Sequence, residues 1–297
     1  MRNKKVIIMS SETDVSTNKV VTFLTTKYTK ISSSTSIEKI KKLFEGNYNF
    51  WYRRGIIQKQ NNINPFFQRE WNTVQSYLHS KLEKSAQFCL GSYTKEIHNN
   101  KLINLTIAQE SGLNVPKYNA ISSKKALLKF KQEFDKIVIK PAWNLASFVQ
   151  DGINYNTKNT VLSNENDFAN ISDSFLPSFV QEYIDKKYEL RVFFLKGKFY
   201  SMAIFSQLDE QTKLDYRNYN RTKPNRTVPY QLPSIIEKKL QAFMEGMGLD
   251  TGSIDIIFGT DNKYYFLEVN PVGQFEWLNE NCNYYIEKEI ANLLMYE

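Results

Sequence analysis

The chain reads as an α/β protein, of the α+β kind, with more than one lobe. Three observations predict this. Short apolar runs alternate with amphipathic helical stretches in the first third. Two hairpin-like strand pairs lie between Tyr188 and Pro271. The length, 297 residues, is enough for two or three cores, and 41% hydrophobic with 14% aromatic residues is a globular composition.

Taken in order, Val6-Ile7-Ile8-Met9 is a short buried strand, and polar Ser10 to Asp14 comes after it. Val15 to Lys27 predicts a helix with Val20, Val21 and Leu24 on one face. Phe50-Trp51-Tyr52 is a second strand ending in Arg53-Arg54-Gly55. Pro65 to Lys84 is a helix with Phe67, Trp71, Val74, Leu78 and Leu82 at helical spacing. Near Gly91 the character changes. Asn99-Asn100 caps a helix from Lys101 to Ser111 with Leu102, Leu105 and Ala108 inward, and Gly112 and Pro116 end it. Ser122-Ser123 caps a helix through Phe134. Ile137-Val138-Ile139-Lys140 is a strand stopped by Pro141, which has no N–H to give a sheet. Phe179 to Ile184 is a strand entering a polar hinge, Asp185-Lys186-Lys187. Tyr188–Leu195 and Lys198–Ile204 form a hairpin around Lys196-Gly197. Ser234 to Met247 is a helix carrying Ile235, Ile236, Leu240, Phe243 and Met244. After a further hairpin the C-terminus is helical, with Ile286, Ile290, Leu293 and Leu294 on one face. The expected division is 1–93, 94–184 and 185–297.

Composition excludes several classes. No apolar run reaches the length of a membrane span, and the apolar run after Met1 to Lys5 is too short for a secretory signal. The expectation is a cytoplasmic protein without a membrane partner. Cys89 and Cys282 form no CxxC pair and read as packing residues, and His79 and His98 are isolated. A zinc site, a disulfide framework and a histidine-centred triad are therefore not indicated. Net charge is +8, from 39 basic and 31 acidic residues, which favours acidic partners. From Tyr216 to Ile236 there is no acid, while Arg217, Arg221, Lys223 and Arg226 are basic.

The segment Ser253–Phe258, Gly259-Thr260-Asp261-Asn262, Tyr264–Pro271 carries the chemistry. It reads as a hairpin with Asp255 on one strand and Glu268-Val269-Asn270 ending the other. Glu268 and Asn270 share a face. If Phe258 pairs with Lys263, Asp255 lies opposite Phe266 on that same face. Three hard oxygen ligands then converge, which suits Mg²⁺ with nucleotide phosphates. A solvated hairpin with scattered polar residues is the plainer reading. No GxxxxGK[ST] loop is present, and Gly246, Gly248 and Gly252 read as a helix stop and turn.

An ordered constellation accompanies the hairpin: Lys101, Lys140-Pro141, Gln181-Glu182-Tyr183-Ile184, Glu189-Leu190-Arg191, and Asp255…Glu268-Val269-Asn270. In that order it resembles the ATP-grasp superfamily, in which two α/β lobes hold ATP between them. Phe50 to Arg54, and Asn100 to Leu105 with Ala108, Gly112-Leu113 and Val115-Pro116, are similar to segments of graspetide (microviridin-type) peptide maturases, in the "grasp-with-spasm" branch. The resemblance implies an N-terminal α/β domain, a central lobe and a C-terminal lobe with the metal site. It also implies ATP and Mg²⁺ as cofactors, a ribosomal precursor peptide as partner, and a homodimer. The reaction implied joins Asp or Glu side chains to Ser, Thr or Lys side chains as macrocyclic esters or amides.

By that resemblance Asp255, Glu268 and Asn270 hold Mg²⁺, and Lys101 and Lys140 contact phosphates. Backbone at Gln181, Glu182, Tyr183 and Ile184 reads adenine, and Glu189 accepts the ribose hydroxyls. Arg191 reaches the transferring phosphoryl group and Arg217 and Asn218 act at the acylphosphate, while Arg221 and Arg226 attract an acidic core peptide. The residues alone leave plainer readings open. Lys101 and Lys140 can be surface lysines, Glu189 and Arg191 a same-face pair on a solvated strand, and Arg53 and Arg54 solvent-facing. Trp143 suits core or site wall, and the 217–226 stretch suits a basic loop without catalytic duty. One departure from the family is that Ala142 to Ser147, after Lys140-Pro141, is not glycine-rich. Two other functions are an ATP-grasp ligase forming a peptide bond and a non-catalytic nucleotide or nucleic-acid binder. No nucleic-acid motif supports the last.

Overall fold

A computed structural model describes residues 4–55, 57, 64–142, 147–150, 153–156, 159–209, 211–214, 216, 218, 220 and 222–297. The first region runs β1 (Lys5–Ser10), α1 (Val15–Thr22), β2 (Tyr28–Ile31), α2 (Ile37–Lys41), β3 (Tyr48–Arg53), α3 (Pro65–Ser85) and β4 (Phe88–Leu90). Its four strands lie in the order β2-β1-β3-β4 and are parallel throughout. Parallel strands are covered on both faces and so carry continuous apolar runs. Val6 and Ile8 pack with Val20 and, from the far end of the chain, Ile290 and Leu294. Ile7 and Met9 pack with Leu78 and Leu82 on the other face.

The second region contains α4 (Tyr93–Ile97), α5 (Lys101–Glu110), β5 (Tyr118–Ser123), α6 (Lys124–Lys131) and β6 (Ile137–Lys140). It continues through β7 (Ser147–Gln150), β8 (Ile153–Asn156), β9 (Thr160–Leu162) and β10 (Ser174–Glu182). Here the sheet is antiparallel, in the order β5-β10-β6-β9, and β7 and β8 pair separately. One face holds a core of Ile121, Leu127, Ile137 and Val180. The alternation of side chains then sends Val138, Lys140 and Gln181 to the opposite face.

The third region is β11 (Lys186–Leu195), β12 (Lys198–Phe205), β13 (Arg226–Tyr230), α7 (Ser234–Gly246), β14 (Thr251–Gly259), β15 (Tyr264–Asn270), α8 (Glu276–Cys282) and α9 (Ile286–Tyr296). Five antiparallel strands lie in the order β13-β12-β11-β14-β15. Leu190, Val192, Ile254 and Ile256 pack with Leu105 and Ala108 of α5 and Leu240 and Phe243 of α7. On the other face Phe193, Leu195 and Met202 pack with Leu278, Ile286 and Ile290. That face also carries Glu189, Arg191 and Asp255, so it is apolar at one end and charged at the other.

Several expectations shift. The helix expected over Val15–Lys27 ends at Thr22, because Thr25 and Thr26 turn to bond with Met295 Sδ and Lys4 O and the chain enters β2. In α3 the buried side chains are Gln75, Leu78, His79 and Leu82, while Phe67 and Val74 are exposed. Ile235 is exposed at the start of α7. The polar hinge at Asp185-Lys186-Lys187 is in part a strand, with Lys186 inside β11 and buried. Arg53 is buried rather than solvent-facing, with Nη1 donating to Val272 O at 2.7 Å and the guanidinium over the Phe275 ring. The acid-free stretch contains strand β13 rather than loop alone. Trp143 lies outside the described residues.

Candidate active site

The site starts from strand register. Arg191 on β11 is paired across the ladder with Asp255 on β14, and Asp255 with Glu268 on β15. Three adjacent strands therefore set one transverse row, Arg191–Asp255–Glu268. The expected pairing of Asp255 with Phe266 is replaced by a bulge. Phe258 pairs with Tyr264 and Ile256 with Phe266, then the register shifts by one residue at Leu267. An extra residue on one strand re-aims the side chains beyond it. Without that shift Asp255 would face Leu267; with it, two carboxylates stand side by side.

Each acid in the row meets a base. Arg191 Nη1 donates to Asp255 Oδ1 at 2.8 Å, and the Tyr216 hydroxyl reaches the same oxygen at 3.3 Å. Burial works against the Arg191 charge, but Asp255, Tyr216 and Glu268 outweigh it and raise its pKa above the ordinary arginine value. Lys101 Nζ lies 3.2 Å from Glu268 Oε2. It occupies the first turn of α5, whose N-cap Asn100 accepts from Leu102 N and Ile103 N, so capping fixes where the lysine leaves the helix. Asn270 Oδ1 accepts from Val272 N at 3.1 Å and from Arg54 Nη2 at 2.9 Å.

The two acids of the row line a cleft of about 480 Å³ between the antiparallel sheets, while Arg191, Glu182 and Asn270 are not among its lining residues. Lys101, Lys140, Gln181, Tyr183, Ile184, Glu189, Asp255 and Glu268 line it, so most residues singled out from the sequence come together. Glu189 is buried, with Oε1 accepting from Lys186 Nζ at 2.6 Å and Oε2 from Ser206 Oγ at 2.6 Å. The N–H groups of Glu182 and Tyr183 donate to Lys117 O and Lys136 O, so the linking strand spends them on the sheet. Asn218 does not line the cleft; its amide donates to Gln211 O. Arg226 sits on edge strand β13 over the Phe205 ring, also away from the lining. Arg217 and Arg221 lie outside the described residues.

Among the lining residues that go beyond those expected from the sequence are Arg54, Glu96, Lys186 and Tyr216. Arg54 and Lys186 are visible there as basic residues at strand ends, but nothing local distinguishes a cleft-facing base from a solvated one. Tyr216 reaches Asp255 across the sheet and stacks on Trp277, a contact between distant segments.

Among the described residues no three His, Cys, Asp or Glu side chains are grouped to hold a metal ion. The donor set still fits Mg²⁺, which binds through one or two carboxylates and completes its shell with phosphate oxygens and water. Asp255 and Glu268, adjacent across the ladder, with Asn270 two residues on, meet that requirement. Among the described residues no helix is long and apolar enough to cross a membrane.

No family model and no curated protein matches the chain. Solved structures do. A Chryseobacterium gregarium RiPP-associated ATP-grasp ligase, in complex with ADP and a leader and core peptide, has a TM-score of 0.83 at 23% identity, covering 98% of this chain and 96% of that one. The macrocyclase MdnC of Microcystis aeruginosa MRC, bound with precursor peptide MdnA, has a TM-score of 0.78 at 25% identity, covering 98% of each chain. The ATP-grasp ligase PsnB, complexed with minimal precursor, Mg and ADP, has a TM-score of 0.73 at 15% identity, covering 97% of this chain and 96% of that one. The chain has the ATP-grasp fold, and over nearly its whole length it resembles the graspetide-type ATP-grasp peptide ligases.

Proposed function

We propose that the chain is an ATP- and Mg²⁺-dependent macrocyclase of a ribosomal precursor peptide. The observation that carries this reading is the row Arg191–Asp255–Glu268, whose two acids line a nucleotide-sized cleft, in a chain similar end to end to peptide-bound ATP-grasp ligases. Mg²⁺ held by Asp255, Glu268 and Asn270 supplies charge neutralisation for the phosphates when bound.

The chain's own residues do the rest. Lys101 and Lys140 bind phosphate oxygens as point charges. Gln181, Glu182, Tyr183 and Ile184 form the base wall, the N–H groups of Glu182 and Tyr183 being already bonded to Lys117 O and Lys136 O. Glu189, oriented by Lys186 and Ser206, accepts from the ribose hydroxyls. A peptide Asp or Glu carboxylate attacks the γ-phosphorus and ADP leaves. Arg191 and Arg217 stabilise the charge on the moving phosphoryl group. A Thr or Ser hydroxyl, or a Lys amine in the amide variant, then attacks the acylphosphate carbonyl, and phosphate leaves with the ring closed. Arg221 and Arg226 draw the acidic core towards the cleft. The working unit is a homodimer.

ADP release tests the reading. With ATP, Mg²⁺ and a Thr/Asp/Glu-rich peptide encoded beside the gene, ADP should form only when the peptide is present. ADP formation that instead needs a free amino acid would make the chain a peptide-bond-forming ligase.

A further inference from the structure

The three residues proposed as metal ligands share a feature: each meets a basic side chain of the chain itself. Lys101 is on Glu268, Arg191 on Asp255 and Arg54 on Asn270. The first two bases belong to the proposed nucleotide site. The third comes from the N-terminal sheet and has no role there.

Arg54 is built into its place. It comes directly after β3 with φ at 54°, a left-handed conformation that non-glycine residues rarely take and that persists where surroundings enforce it. Its backbone bridges to Ser10 at the end of β1. A Cβ on the next residue, Gly55, would come within 2.2 Å of Met9 Cγ and 2.7 Å of Ser10 N, so the turn is pressed onto β1 and cannot shift. The side chain is anchored as well. Arg54 Nε donates to Glu96 Oε1 at 2.7 Å, and Tyr52 OH donates to the other Glu96 oxygen at 2.6 Å. Arg54 and Glu96 both line the cleft. Among the described residues, two of the guanidinium's five N–H donors are engaged, which leaves a fork for an oxyanion.

Asn270 Oδ1 has two lone pairs, one taken by Val272 N–H and the other by Arg54. A divalent ion at this oxygen must displace one of them, and repulsion between like charges selects Arg54. Anchored by Glu96, the displaced guanidinium stays at the metal end of the cleft. Resting on the reading of the cleft as a Mg²⁺–nucleotide site, we propose that Arg54 is a phosphoryl-binding residue that passes from Asn270 to the terminal phosphoryl oxygens of the nucleotide.

Calorimetric titration of the full chain with Mg²⁺–ADP and Mg²⁺–AMPPNP tests this without any peptide. Arg54→Gln is expected to leave ADP affinity within about threefold and to weaken AMPPNP about tenfold or more, the effect of one lost charged hydrogen bond. Arg54→Lys should recover only part, since a point charge lacks the fork. Equal weakening of both nucleotides, or no change in either, would overturn the proposal. If Arg54→Gln does not fold, the AMPPNP-to-ADP ratio of Arg54→Lys decides on the same terms. Failure of the wild-type chain to bind either nucleotide would overturn the underlying nucleotide reading as well. Failure of peptide cyclisation alone bears on the proposed function and not on Arg54.

Discussion

The cleft and the region packed on the N-terminal sheet both bury polar side chains, but in different company, although each leaves some buried nitrogen without a hydrogen bond, Arg191 Nε in the cleft row among them. In the cleft buried charges meet opposite ones: Lys186 with Glu189 at 2.6 Å, Arg191 with Asp255 at 2.8 Å. On α3, against the N-terminal sheet, His79 is fully buried with neither ring nitrogen hydrogen-bonded among the described residues, while Arg53, whose Nη2 is 4.0 Å from Asp14 Oδ2, leaves Nε and Nη2 without a hydrogen-bond partner there. Unpartnered polar atoms in a core bring no stability of their own. His79 instead acts as an aromatic ring, stacked on Tyr93 at 3.9 Å and edge-on to Tyr52. His79 thus serves packing, whereas Lys186 and Arg191 each face a buried carboxylate.

The largest effect that sharpens this contrast is at Lys186. Lys186→Met leaves Glu189 buried without its cation and should cost about 3–5 kcal/mol of stability, read by chemical denaturation. A loss below about 1 kcal/mol would mean that the pair is solvated in solution. Next, Glu268→Gln keeps shape and removes one charge from the row. Turnover should fall by about 10²-fold or more, as for loss of a key electrostatic group, with the melting temperature little changed. Near-normal turnover would remove the metal-site reading.

His79→Phe tests the other side. Burial pushes the His79 pKa down to about 3, so between pH 6.5 and that value the unfolded chain holds the extra proton. Its contribution is therefore full above pH 6.5 and falls as pH drops. The wild-type chain should lose about 2 kcal/mol between pH 7 and pH 5 from this group alone. His79→Phe should remove that slope while staying within about 1.5 kcal/mol of wild type at pH 7. An unchanged slope would show that His79 finds a partner the fold does not reveal. The smallest effect is expected at Tyr216→Phe, which deletes one weak hydroxyl contact to Asp255 and should slow turnover by less than about tenfold.

Much of the fold and the cleft is legible in the sequence, for reasons that can be named. Pro141 ends a strand on Lys140, Asn100 caps a helix that begins with Lys101, and the spacing of Glu268 and Asn270 sets them on one face. These are local rules, and local rules survive folding. Pairing between distant segments is what stays hidden. The bulge at Leu267 that brings Asp255 beside Glu268 has no signal in either strand. Lys186 next to Asp185 and Lys187 looks like a solvated hinge, and only the opposing Glu189 and Leu214 carbonyl make it a buried base. Phe67 and Val74 fit helical spacing yet face solvent, because the buried stripe of α3 runs through Gln75, Leu78, His79 and Leu82. The fold itself is legible through the order of the constellation, not through any one motif.

The most direct test of the proposed activity is intact-mass analysis of the Thr/Asp/Glu-rich peptide encoded beside the gene, after incubation with the chain, ATP and Mg²⁺. Macrocyclisation predicts loss of whole water masses, reversed by mild ester hydrolysis, or resistant to it where the closure is an amide. An unchanged mass, or the gain of an amino-acid residue, would contradict it.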